Sequence, residues 1–339
     1  MQPQLGIWKL LWYFLEMELR KLGVKIIAKS ECWEIAKKLG FDSKEALEAA
    51  LHYLHEANLF LYYPDVLSNT IFVGPEAVIS NITQLYGHHV DLEETPEAEI
   101  VAEDDLRYRD QAIFTADTLH SFHTYYSKAA FPNDDLVKLL QHRLVIAEMP
   151  FIINGETAYM MPSLLSALEE GDIVRPKTTS ASPLLVTFPE GWAPIGLFCA
   201  TAVSLLSNKS QFPWKITEFM SGKISKLYKN NLEFSIGFIA GSITLVNTMK
   251  QFEVHPSSTF PTDFLPLIWQ AIDRALKEAC SKYSYKASHQ FAFTCTCAVP
   301  SHPALISTEK STVQCTRDGT VGPLSSKQKP WVLLQDYGE

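Results

Sequence analysis

Cysteine is sparse in this sequence: six residues scattered over 339, a usage that suits a reducing compartment better than a disulfide framework. Long hydrophobic runs are missing as well. No segment approaches the about 18 uninterrupted apolar residues of a membrane span. The nearest, residues 5–19, contains Lys9, Glu16 and Glu18 and lacks the basic start and small-residue cleavage site of a signal peptide. A basic excess is absent too: the formal charge of −9 disfavours a general role on nucleic acid or anionic membrane. Catalytic signatures are missing, with no GxSxG, HExxH or GxGxxG. Asp134-Asp135 suits a helix cap better than acid–base work. These absences point to a cytoplasmic protein that is not an enzyme.

What is present is globular: 47% hydrophobic and 20% charged residues in a chain long enough for two or three domains. From Ala46 the sequence ALEAALHYLHEANLFLYYPDVLSNTIFVGPEAVISNITQL reads as helix, strand, turn, strand and helix. Residues 6–22 supply an earlier apolar helix. Ser30 is expected to cap a second that Gly40 ends, and Asp42 or Ser43, with Glu45, to cap a third. Three helices and a hairpin over residues 1–90 predict a winged-helix unit. Residues 91–110 carry Asp91, Glu93, Glu94, Glu97, Glu99, Glu103, Asp104 and Asp105 and read as a solvated acidic linker.

Residues 111–175 repeat a helix-plus-wing pattern, with Asn154-Gly155 as a strong hairpin turn. Residues 176–183 read as a Thr- and Ser-rich linker. Over 183–310 short strands at 184–188, 214–219, 232–238, 243–247, 252–255 and 291–295 accompany helices at 196–206 and 264–283. The fold class expected is α+β: an N-terminal winged-helix and helical half, then an α+β domain with a mostly antiparallel sheet. Residues 311–339 read as a polar, loosely ordered tail with an apolar end near Trp331.

One constellation carries metal chemistry. Cys295-x-Cys297-x4-His302, followed by Cys315, offers three thiols and an imidazole, a set from which a structural zinc could be built. Against it, a C-x-C pair on a strand points its side chains to opposite faces unless the strand ends there, so reduced cysteines at a strand end are the favoured reading. His88-His89 and the His120/His123 pair lack matched partners and read as surface or half-buried residues. Cys32, Cys199 and Cys280 read as small core residues.

The pieces SECWEIAKKLG, ALHYLHEANLFLYYPD, NTIFVGPEAVISNI, DDLVKLLQHRLVIAE, YMMPSLL, PLLVTFPEGWAPIGLFCATAVSLL and CTCAVPSHP follow one another in order over most of the chain. In this the sequence resembles the COR ("C-terminal of Roc") region of Roco-type signalling proteins, in particular divergent COR-like regions of invertebrate death-domain or leucine-rich-repeat proteins. The resemblance implies a non-catalytic scaffold. Its first half would pack on a Roc-type GTPase domain in cis or in trans, and its second half would form a homodimer, without nucleic acid or membrane. The sequence departs from full Roco proteins in having no GxxxxGK[ST] loop: Gly222-Lys223 is followed by Ile224 where a Mg²⁺-binding hydroxyl is needed. The GTPase must therefore lie elsewhere, and a first helix starting so near Met1 suggests a fragment.

Under this reading the expected contact surfaces are the wing (Tyr62, Tyr63, Phe72) and the helix over 196–206, with Phe198 and Val203. The alternative function is a winged-helix nucleic-acid-binding protein with a zinc-stabilised C-terminal domain. The third helix argues against it, since Asp42, Glu45, Glu48 and Glu56 face one Lys44.

Overall fold

The computed structural model describes residues 4–76, 103–119, 133–176, 180–207, 214–216, 227–236, 239–283, 288–297, 302–307 and 309–332, together with 78, 79, 83 and 86. The chain divides into two compact units. Unit 1 comprises residues 1–100 and 116–139, and unit 2 comprises 101–115 and 140–339.

Unit 1 is built from helices α1 (Gln4–Lys21), α2 (Lys29–Lys38) and α3 (Lys44–Glu56) with strands β1 (Ile26–Ala28), β2 (Leu61–Tyr62) and β3 (Thr70–Phe72). The strands form an antiparallel sheet in the order β1-β3-β2, with Ile27 opposite Ile71 and Ile71 opposite Tyr62. Helical spacing puts Leu47, Ala50, Leu51 and Leu54 on one buried stripe of α3, where they meet Leu15, Leu19, Cys32, Ala36 and Phe60. Ser43 caps α3 as expected, its hydroxyl accepting the Ala46 N–H at 3.2 Å.

The α2 start differs from expectation. Ser30 lies inside the first turn, and the helix begins at Lys29 with no side-chain cap. The physical reason is that α2 springs directly from β1, and the carbonyl of Asn69 already takes the Lys29 N–H at 2.8 Å. Gly40, at φ +97°, closes the other end in a left-handed turn where the Phe41 N–H reaches the Ala36 carbonyl at 3.1 Å.

Unit 2 contains α4 (Glu103–Gln111) and a three-stranded antiparallel sheet of β4 (Ile113–Thr115), β5 (Ala147–Ile153) and β6 (Glu156–Met160), in the order β4-β6-β5. Helix α5 (Asn133–His142) crosses the boundary between the units. The Asn154-Gly155 turn is present, with φ of +52° and +89°. Both positive angles match the two-residue turn whose twist suits a hairpin.

A ten-stranded antiparallel sheet forms the rest of unit 2. Its strands are β7 (Leu184–Thr187), β8 (Trp214–Ile216), β9 (Leu227–Tyr228), β10 (Asn231–Ile236), β11 (Ile243–Asn247), β12 (Gln251–Pro256), β13 (Gln290–Thr294), β14 (Pro303–Ile306), β15 (Thr312–Cys315) and β16 (Val321–Pro323). They run in the order β16-β15-β14-β13-β7-β12-β11-β10-β8, with β9 beside β10. Helices α6 (Leu197–Ser207) and α7 (Leu265–Lys282) pack on each other and share a core with alternate residues of the strands, among them Leu184, Val186, Phe252, Val254 and Phe293. The α+β class expected from the sequence is what the chain adopts.

Three expected boundaries differ. Ile113, Ala147, Met149, Ala158 and Met160 belong to the same buried cluster as α6, α7 and the large sheet, so residues 111–175 are not a separate unit. A half-buried three-stranded sheet needs an apolar partner, and α6 supplies it. The acidic linker is helical from Glu103 onward; residues 91–102 lie outside the described residues. The expected polar tail contains strands β15 and β16 and a 3₁₀ turn, Lys329–Trp331, that buries Trp331. No helix among the described residues is long and apolar enough to cross a membrane.

Candidate metal centre

Strand β13 ends at Thr294, so Cys295 and Cys297 lie just beyond the ladder and escape the strand's alternation. The objection to a C-x-C pair is thereby removed. The Cys295 N–H donates to the His302 carbonyl at 2.8 Å, which sets His302 at the entrance to β14. Cys315 is the last residue of β15 and lies opposite Ala304 of β14. The ligand atoms of Cys295, Cys297, His302 and Cys315 all fall within 4.8 Å of one another. His302 Nε2 is 3.5 Å from Cys297 Sγ and 3.1 Å from Cys315 Sγ.

A zinc tetrahedron with bonds of about 2.3 Å to sulfur and 2.0 Å to nitrogen separates its ligand atoms by about 3.5–3.8 Å. The four atoms thus stand close to the spacing such an ion requires.

The backbone is arranged for sulfur anions. The backbone N–H groups of Asp318 and Arg317 favour the thiolate at Cys315, and that of Cys297 favours it at Cys295. The turn after Cys315 is closed by Gly319, at φ +74°, whose N–H reaches the Cys315 carbonyl at 3.0 Å. The Asp318 carboxylate accepts the Thr320 N–H at 2.8 Å, and that bond, with the Cys315 thiol, lowers the Asp318 carboxyl to about 2. The Asp318 N–H and the His302 ring lower the Cys315 thiol below its ordinary value. At Cys295 the Cys297 N–H favours the thiolate, but desolvation and the neighbouring Cys297 and Cys315 sulfurs outweigh it and raise the thiol. A cation would reverse that mutual repulsion.

The remaining cysteines have a different environment. Cys32 is buried in unit 1 and desolvation pushes its thiol up to about 12; Cys199 is pushed up to about 11. Both are small packing residues with inert thiols. Cys280 is buried on α7, again with a raised thiol. His88, His89, His120 and His123 lie outside the described residues.

The expected contact residues occupy other places. Tyr62, Phe72, Phe198 and Val203 are all buried, between 0% and 2% exposed; Tyr62 packs in the core of unit 1 and Phe198 and Val203 in that of unit 2. Tyr62 donates its hydroxyl to Glu48 at 2.5 Å, while Phe198 meets Phe252 edge-to-face at 5.3 Å. This corrects the expectation for these four: a small unit spends its aromatics on its core. Tyr63 is half-buried, against His55 at 5.0 Å.

A second polar cluster escaped the sequence reading. Glu253 on β12 accepts from Arg175 at 2.7 Å and pairs with His255 Nε2 at 3.0 Å. Glu-x-His on one strand is a period-two signal, but Arg175 comes from a distant loop with no local mark. A shallow cleft leads from Glu253 and His255 past Thr294 to His302.

No family model matches this chain, and a search of curated proteins finds no match.

Proposed function

We propose that this chain is a COR-like signalling scaffold: a dimerising module that couples to a Roc-type GTPase domain and carries out no catalysis of its own. The carrying observation is the succession of two unlike units. Among the described residues, helices α1, α2 and α3 with the β1-β3-β2 sheet lie N-terminal to an antiparallel sheet overlaid by two helices. That is the order the sequence resemblance implies. A scaffold of this kind converts a partner's nucleotide state into dimer geometry or affinity, which requires different contacts in the two states.

The acidic α3 opposes a nucleic-acid role, because Glu45 and Glu56 would meet phosphates with like charge. The cofactor we assign is one structural zinc on Cys295, Cys297, His302 and Cys315. Three thiolates and an imidazole suit it, and all four positions are taken by protein, which leaves no open site for chemistry.

The dimer contact is assigned to exposed apolar residues of unit 2. Trp192 (63% exposed), Ile195 (94%) and Met249 (79%) sit on two loops tied by an Ala193 N–H to Met249 carbonyl bond of 2.7 Å. The test is solution mass by light scattering over a concentration series, for the natural chain and Ile195→Asp. A concentration-dependent dimer that the substitution weakens at least tenfold is expected. A monomer at every concentration overturns the dimer role. A dimer indifferent to Ile195→Asp overturns this surface.

A further inference from the structure

We infer that the metal at Cys295, Cys297, His302 and Cys315 acts as a latch that holds residues 303–331 in the fold; the inference rests on the zinc reading above. The four ligands straddle three neighbouring strands. Two follow β13, one precedes β14 and one ends β15, so a single ion ties together strands otherwise joined by ladder hydrogen bonds and a few side-chain bonds, such as Thr316 Oγ1 to the Pro303 carbonyl at 2.8 Å.

Those ladders are short. β13–β14, β14–β15 and β15–β16 are each paired over three residues. Their apolar anchoring is modest: on β14, β15 and β16 Ala304 and Cys315 are buried, Ile306 and Val313 rest half-buried against the core, and Val321 on the edge strand is 59% exposed. Fixing a residue costs about as much as one ladder bond returns, so strands this short and this poor in buried side chains gain little from folding on their own. Because such a metal site does not exist in the unfolded chain, the binding free energy of the ion becomes folding free energy for the segment it clamps.

The far end of the segment carries weight for the core. Trp331 is buried in the cluster shared with α7 and β7, and its indole N–H donates to the Ser182 carbonyl at 2.7 Å. The Ser182 N–H in turn donates to the Lys327 carbonyl at 2.8 Å, immediately before β7 begins at Leu184. A latched C-terminal segment thus places its tryptophan over the start of a central strand, and an unlatched one withdraws it.

The experiment measures two quantities on the full chain. Zinc content is read by a chromogenic chelator after thiol release, with cobalt(II) substitution as a second probe through its thiolate charge-transfer absorption. Amide hydrogen exchange is then followed by mass spectrometry before chelation, after it, and after zinc is restored. One zinc per chain is expected. Chelation is expected to speed exchange in residues 303–306 and 312–315 at least tenfold, reversibly, with unit 1 unchanged. One zinc with unchanged exchange in these strands overturns the latch while leaving the zinc assignment standing. No bound zinc or cobalt overturns both. Cys315→Ser checks the result without a chelator: it is to lose the metal and show the same local loss of protection, and protection kept without metal overturns the latch.

Discussion

Arg175 and Glu253, 78 residues apart in sequence, meet across the sheet with Nε 2.7 Å from Oε2. Arg175 also reaches Glu170 at 2.7 Å, and His255 approaches the same Glu253 oxygen at 3.0 Å. The loop before β7 is therefore fastened to β12 through one carboxylate shared by a guanidinium and an imidazole.

Acid is expected to release this fastening. Burial works against the charge on Glu253, but hydrogen bonds from His255 and Arg175, with the Arg175 charge, outweigh it and hold the carboxyl at about 2. An unfolded glutamate titrates near about 4.3. A carboxyl depressed by folding stabilises the native state above the unfolded value, and that stabilisation is lost as pH falls from about 4.3 towards the native value. With Arg175 29% and Glu253 16% exposed, screening reduces the effect to about 1–2 kcal/mol. Between about pH 6 and pH 3 the unfolding free energy from urea denaturation should therefore fall by about 0.5–1 kcal/mol less for Glu253→Gln than for the natural chain. Equal losses would show that the pair adds nothing to stability.

Burial of the aromatic residues separates packing from recognition. Phe198→Ala removes a ring seated against Phe252 at 5.3 Å and should cost about 3–5 kcal/mol in urea denaturation. Tyr62→Phe keeps the ring and loses only the hydroxyl bond to Glu48, a change of about 1 kcal/mol. Ile195→Asp, on a side chain 94% exposed, should stay within about 0.5 kcal/mol. A large loss of stability for Ile195→Asp would mean that the loop is part of the core, and its effect on dimer mass would then say nothing about an interface.

Local chemistry was legible in the sequence where it acts over a few residues. The Ser43 cap, the Asn154-Gly155 turn and the strand over 243–247 all have their cause within the segment itself. The four candidate metal ligands were legible as residue types, although the side-chain direction at Cys295 and Cys297 depended on where β13 stops. Other features depend on distant chain. Asn69 satisfies the start of α2 in place of Ser30, and Ser182 anchors Trp331 within what composition marks as a polar tail. Arg175 was invisible as a partner of Glu253 for the same reason. Aromatic residues on a hairpin or an apolar helix suit a core and an interface equally well, and only packing decides between them.

Gly241 and Gly155 provide a test of crowding at nearly constant φ. Their φ values are +88° and +89°, so an alanine is strained by a similar amount at either. They differ in surroundings. A Cβ at Gly155 meets nothing within 4 Å, whereas at Gly241 it would stand 2.6 Å from Ser257 Oγ, 2.7 Å from the Phe260 nitrogen and 2.8 Å from Thr259 Oγ1. The Ser257 hydroxyl cannot turn away freely because it accepts the Ser242 N–H at 2.9 Å. The Phe260 nitrogen is backbone, held by its bond to the Ser257 carbonyl at 3.1 Å. Gly155→Ala should therefore cost about 1 kcal/mol, the price of the angle alone, and Gly241→Ala about 2–4 kcal/mol, with crowding added. Urea denaturation of the two variants measures the difference directly. Equal costs would show that the turn over 257–260 yields to the added methyl, and that glycine at 241 is required by its angle and not by its neighbours.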